Sequence, residues 1–137
     1  MNQNTLTQKI AVIGNIEDDY HSIGRRMVAT LLRMDGWLVK DLGNDVLAKA
    51  FVDEALRMEA SVIGVSAMML TNAQNIRKVR KEIDNRKLEN KIKLAVGGAI
   101  FVMRPELADE VGGDGTAINA IECPMLFNRL LAKVRTK

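Results

Sequence analysis

The chain has 137 residues, 47% hydrophobic and 27% charged, which is the length and balance of one soluble globular domain with a single core. Twenty Lys and Arg against 17 Asp and Glu leave a net charge of +3, far from the dense positive field of a dedicated nucleic-acid binder. One cysteine, Cys123, excludes an intrachain disulfide, and one histidine, His21, leaves too few ligands for a structural zinc site.

The N-terminus lacks the basic-then-apolar pattern of a signal peptide. The apolar runs Ile10 to Ile13 and Ala67 to Leu70 fall far short of the roughly 20 residues that span a bilayer. The chain therefore reads as cytoplasmic, with neither membrane nor nucleic acid as a partner.

Short runs rich in Val and Ile alternate with longer stretches of helical period, the pattern of repeated βα units around a parallel sheet. The first strand is expected over Lys9 to Gly14, after a lead-in of residues 1–8. A loop from Asn15 to Ser22 leads to a helix over Ile23 to Met34, in which Ile23, Met27 and Leu31 recur at i, i+4 and i+8. Arg25, Arg26 and Arg33 are assigned to its wet side. Asp35-Gly36 stops the helix, Trp37 to Asp41 reads as strand two, and Asp45 or a neighbour opens a helix over Ala48 to Met58.

Ser61 to Ser66 is a nearly continuous apolar run, as a central strand buried on both faces requires. Ala67 to Thr71 is then a loop, and one helix is expected from Asn72 to Asn85. Its Ile76, Val79 and Ile83 face the sheet, and Arg77, Lys78, Arg80 and Lys81 form a solvated face. Ile92 to Val96 makes strand four and Gly97-Gly98 the turn after it. Pro105 falls in the first turn of a short helix reaching Glu110, Gly115 to Ala117 is a last strand, and a helix follows from Ile121 with Pro124 in its first turn.

Five such units predict an α/β, flavodoxin-like (Rossmann-like), doubly wound parallel sheet of order 2-1-3-4-5. Ligands of that fold bind at the carboxyl ends of the strands where the order reverses. The acidic first loop, Glu17-Asp18-Asp19, would suit magnesium in a phosphorylated receiver domain, but strand three ends Val65-Ser66-Ala67-Met68-Met69 without a phosphoacceptor aspartate. The same acids would repel the phosphate that a flavodoxin wraps with backbone N–H groups.

What remains is a carboxylate two residues before the only imidazole. Asp19 can accept a hydrogen bond from one ring nitrogen of His21 and leave the other free for a metal. A single protein ligand suffices where a tetradentate macrocycle fills the remaining positions, so haem and corrin stay open. So does an exposed loop histidine paired with a neighbouring acid.

Asp19-Tyr20-His21-Ser22-Ile23-Gly24 resembles the Asp-x-His-x-x-Gly motif of cobalamin-binding domains. Ser66-Ala67-Met68 follows at the right distance as a counterpart of their Ser-x-Leu, and Gly97-Gly98-Ala99 as a counterpart of their Gly-Gly; the likeness runs from about Lys9 to Val134. It implies that His21 is the lower axial ligand of cobalt in place of the cofactor's own base, with Asp19 behind it. It further implies a displaced nucleotide tail between strands one and three. Ser66 would bond the buried base, with Gly24, Gly97, Gly98, Ala99, Gly115 and Ala117 close to the tail. Met68 stands for the usual leucine, a volume-conserving change. Leu70 stands where many members have a hydroxyl residue, and Asn119 where relatives often have aspartate. Cys123 sits near a helix N-terminus, where thiolates are favoured, but reads as a half-buried inert thiol.

The wording Val28-Ala29-Thr30-Leu31-Leu32, Asp41-Leu42-Gly43 and Val96-Gly97-Gly98-Ala99 looks closest to corrinoid proteins of methyltransferase systems and the methionine synthase cobalamin domain. The resemblance implies a carrier of a methyl group on cobalt, as methylcobalamin or another corrinoid, between partner methyltransferases. Asp19 and His21 would gain a proton as the ligand leaves. Only Met1 to Gln8 precede strand one, so a helical cap over the corrin is not expected within this sequence. The alternatives are the small subunit of an adenosylcobalamin mutase beside a barrel-type catalytic subunit, and a non-catalytic cobalamin carrier or sensor. Self-association into a homo-oligomer is a further possibility in either case.

Overall fold

The structure is a computed structural model and describes residues 8–134; the expected lead-in lies outside the described residues except for Gln8. Five parallel strands, β1 (Ile10–Asn15), β2 (Leu38–Asp41), β3 (Val62–Ser66), β4 (Lys93–Gly97) and β5 (Gly115–Thr116), form one sheet of order β2-β1-β3-β4-β5. This is the predicted doubly wound order. All six residues of β1 are buried, because a central parallel strand is covered on both faces.

Helices α1 (Ser22–Met34) and α7 (Cys123–Leu131) cover one face of the sheet. Helices α2 (Ala48–Met58), α3 (Leu70–Gln74), α4 (Ile76–Asn85), α5 (Ala99–Met103) and α6 (Leu107–Glu110) lie on the other side of the fold. The larger core lies on the α2 and α4 face, around Phe51, Ile63, Ile76, Val79 and Ile83. The smaller one, on the α1 and α7 face, gathers Ile13, Leu32, Trp37, Phe127 and Leu130, with Trp37 and Phe127 edge to face at 5.6 Å.

Several expectations need correction. Helix three is two helices: α3 begins at Leu70, inside the expected loop, and Asn75 separates it from α4. A further short helix, α5, follows Gly98, where only a turn leading to the Pro105 helix is expected; five residues are too few to display a helical period. Pro105 sits in the turn just before α6. A 3-10 turn at Ala120–Glu122 precedes α7. Asp45 caps nothing: α2 starts after Leu47 without a side-chain cap, and the Asp45 carboxylate accepts from the Asp18 N–H at 2.9 Å.

The face of α1 is turned from the one its apolar spacing suggests. Ile23 and Met27 are exposed, whereas Arg25, Ala29 and Leu32 point inward. Arg25 is only 8% exposed, so its wet-side assignment is wrong. The basic face of α4 is partly structural too: Arg80 donates to Gly112 O at 3.0 Å and lies 3.2 Å from Asp114, tying α4 to the segment before β5.

Candidate functional site

Alternate residues of a strand share one face. On the side facing α1 and α7, β3 presents Gly64 and Ser66, and β4 presents Ala95 and Gly97, paired in register as Gly64 with Ala95 and Ser66 with Gly97. Four small residues in a block leave the helices nothing to rest on. The result is a cavity of about 190 Å³ at the carboxyl ends of β1, β3 and β4, open at one end. Phe127 walls it off at Gly64, where a Cβ would meet the ring at 2.8 Å. A Cβ at Gly24 or Gly97 would meet nothing within 4 Å, so both glycines face free space.

Gly98 holds the rim. Its φ of 114° and ψ of 170° belong to glycine alone, and a Cβ there would lie 2.0 Å from Ala67 O. The close approach lets the Ala67 N–H donate to Gly97 O at 2.9 Å and fixes the start of the next residue, Met68.

The Met68 N–H reaches across to the other motif and donates to Asp19 Oδ2 at 2.7 Å. Asp19 Oδ1 accepts from the His21 N–H at 2.9 Å, from Asn15 Nδ2 at 3.0 Å, and faces His21 Nδ1 at 3.0 Å. Burial alone would push the Asp19 carboxyl up, but bonds from the His21 N–H, the His21 ring, Asn15 and the Met68 N–H outweigh it and hold the group below the usual carboxylate value. An ionised acceptor so placed selects the Nδ1–H tautomer. Nε2 is then the free nitrogen, on a side chain 55% exposed at the mouth of the fold.

The structure gathers part of the predicted set. Gly24, Ser66, Gly97, Gly98 and Ala117 line the cavity; Asp19, His21 and the Met68 N–H are not part of its lining but form one hydrogen-bonded cluster, joined to it through Ala67, whose N–H donates to Gly97 O. Other members lie apart. Ser22 borders a separate polar hollow on the β2 side, Leu70 and Ala99 begin α3 and α5 away from the cavity lining, and Ile23 is 77% exposed. Gly115 packs against α7, where a Cβ would meet Leu126 at 2.7 Å. Tyr20 is exposed, its hydroxyl pushed up by the neighbouring Asp45 carboxylate. Cys123 lines the cavity with its thiol pushed up to about 11, first by burial and then by Glu122, so burial overrides the helix N-terminus. Sequence reasoning missed Asn15 and Arg25, which stand behind Asp19; a polar residue ending a fully apolar strand was the available signal.

The arrangement is a single imidazole, oriented from behind and free in front, beside a narrow apolar slot. That donor set fits a metal whose other positions are already filled by a ring. Fold and site thus define a macrocycle-binding α/β domain. Residues 9–122 match the B12 binding domain family, and the chain belongs to it. Its cofactor class is cobalamin or a related corrinoid.

The chain is 39% identical over 129 residues to dimethylamine corrinoid protein 1 of Methanosarcina mazei, covering 93% of this chain and 59% of that protein. Two solved structures share the fold. A cobalamin-binding protein of Desulfitobacterium hafniense aligns with a TM-score of 0.84 at 25% identity, over 93% of this chain and 62% of that one. The monomethylamine corrinoid protein of Methanosarcina barkeri aligns with a TM-score of 0.78 at 31% identity, over 87% and 57%. The chain therefore spans about three fifths of the length of these relatives. Among the described residues no helix is long and apolar enough to cross a membrane.

Proposed function

We propose that this domain carries a methyl group on the cobalt of a cobalamin held through His21, delivering it between methyltransferase partners on other polypeptides. The observation that carries the reading is the pairing of a pre-oriented, half-exposed imidazole with a slot floored by Gly64, Ser66, Ala95 and Gly97. Bound cobalamin would supply a cobalt centre able to accept and release a methyl group. The protein's part is to hold and orient. His21 Nε2 would ligate the cobalt, and Asp19 fixes the ring through Nδ1.

The slot would take the displaced nucleotide tail, with Gly24 and Gly97 leaving room and Ser66 offering a hydroxyl at the floor. Similarity to methylamine corrinoid proteins supports methyl transfer as the chemistry.

The test is methylation of the reduced, cobalamin-loaded protein with methyl iodide, followed by a thiol acceptor with and without an added cobalamin-dependent methyltransferase. The account expects stable methylcobalamin on the protein, and demethylation only when the methyltransferase is present. Turnover of donor and acceptor by the purified domain alone would refute the carrier reading.

A further inference from the structure

Behind Asp19 runs a line of polar side chains, buried at Asn15 and Arg25, that the family motifs do not contain. Asn15 closes β1, is fully buried, and uses both ends of its amide. Its Nδ2 donates to Asp19 Oδ1 at 3.0 Å and to His21 O at 2.8 Å, while its Oδ1 accepts from Arg25 Nη1 at 2.8 Å. Arg25, inward on α1, also donates from Nη1 to Asn44 Oδ1 at 2.7 Å. Its Nε lies 2.8 Å from Asp41 Oδ1, with the N–H out of line for a hydrogen bond, so that contact is ionic. Asp41 is tied in turn to the backbone of its own turn, accepting from the Gly43 N–H at 2.9 Å.

An asparagine amide has two orientations related by a half turn, and its neighbours decide between them. The observed orientation places NH₂ against a carboxylate and a carbonyl, and oxygen against a guanidinium. The flipped one would set the amide oxygen against Asp19 Oδ1 and His21 O, and the NH₂ against Arg25, opposing like ends at all three contacts.

We propose that Arg25 is a positioning residue for His21: by locking the Asn15 amide it holds the Asp19 carboxylate and the His21 backbone, and so fixes the imidazole with Nε2 free. The inference rests on the reading of His21 as the lower ligand of cobalt, and it adds two residues, Asn15 and Arg25, to the machinery that presents that ligand. A purely structural role, joining α1 to the β2–α2 connection, is the competing explanation. Arg33 offers the comparison, since it joins α1 to β2 by donating to Val39 O at 3.0 Å and does not touch Asn15 or Asp19.

His21 is the only histidine in the chain, so imidazole ¹⁵N resonances of the cofactor-free 137-residue chain report its tautomer without assignment. They are to be read at a pH where the ring is neutral, in wild type, Arg25→Met, Asn15→Ala and Arg33→Met. Sucrose is added to keep the buried variants folded. Wild type and Arg33→Met are expected to show the Nδ1–H form. In Arg25→Met and Asn15→Ala the ratio of Nδ1–H to Nε2–H is expected to fall about fivefold to tenfold, the scale of one ordinary intramolecular hydrogen bond.

A wild-type tautomer ratio in either folded variant overturns the proposal, even if its melting temperature drops. Two variants guard against one failing to fold. The readout needs no cofactor, so its failure is distinct from a failure of the protein to retain cobalamin. In protein loaded with cobalamin and reduced to Co(II), the axial-nitrogen splitting in the electron paramagnetic resonance spectrum is expected to weaken in Arg25→Met and persist in Arg33→Met. Equal splitting in the two would also overturn the proposal.

Discussion

Replacing Gly98 by alanine tests how far the rim depends on one missing methyl group. The new Cβ would lie 2.0 Å from Ala67 O, 2.8 Å from Ala67 C and 3.0 Å from Ala67 N, all backbone atoms that cannot swing aside. The backbone at φ 114° and ψ 170° adds about 1–3 kcal/mol of strain for any residue with a Cβ. Relief requires the Ala67 backbone to move, which stretches its bond to Gly97 O and withdraws the Met68 N–H from Asp19, each worth about 1 kcal/mol or more. The total is about 4 kcal/mol, or a fall in Tm of roughly 10 °C or more for a domain of this size. Gly97→Ala is the matched control: its Cβ meets nothing within 4 Å, and its expected cost is under about 1 kcal/mol. Urea and thermal unfolding of the pair measure the contrast. Equal stabilities would refute the claim that the close approach at Gly98 builds the rim.

Three further outcomes follow from the same geometry. Gly97→Leu is expected to fold, because its Cβ enters open space, yet to retain no cobalamin after desalting, because the side chain fills the slot; undiminished retention would place the tail elsewhere. Asp19→Asn sets an amide where four donors converge and should cost about 2–4 kcal/mol at neutral pH. Because the folded Asp19 pKa lies below its unfolded value, its contribution is full above about pH 4 and fades as the pH falls through the folded pKa. The wild-type minus Asp19→Asn difference in urea stability should accordingly shrink as the pH falls below about 4. Cys123, with its thiol near 11, should react with iodoacetamide far more slowly at pH 8 than free cysteine, and more slowly still once cobalamin occupies the slot it lines; mass spectrometry of the adduct follows both.

Much of this molecule was readable from residue order. The runs Lys9 to Gly14, Ser61 to Ser66 and Ile92 to Val96 are mostly apolar because both faces of a central parallel strand are covered, and the βα alternation then leaves few sheet orders. The Asp19–His21 pair was legible because it is local, an i, i+2 pair on an irregular segment, and Gly98 as half of a Gly-Gly turn; the approach of Gly98 to Ala67 and the bond from the Met68 N–H to Asp19 were not.

Arg25 was not, because a helical wheel sends any arginine to solvent. Its burial depends on Asn15, Asp41 and Asn44, which come from β1, the end of β2 and the turn after it. The division of α3 from α4 and the presence of α5 were hidden for another reason: helices of five residues are set by tertiary contacts and carry no periodic signal. The small-residue floor lay in plain view as alternate positions of β3 and β4, but only the parallel register that pairs Gly64 with Ala95 and Ser66 with Gly97 makes it a slot.

The most direct test of the account is a visible absorption spectrum of the protein mixed with hydroxocobalamin and then desalted, beside His21→Ala treated in the same way. The account predicts a retained corrin in the wild type whose spectrum changes when His21 is removed, as expected of an imidazole bound to cobalt through Nε2. A colourless wild-type protein, or spectra identical in the two, would contradict it.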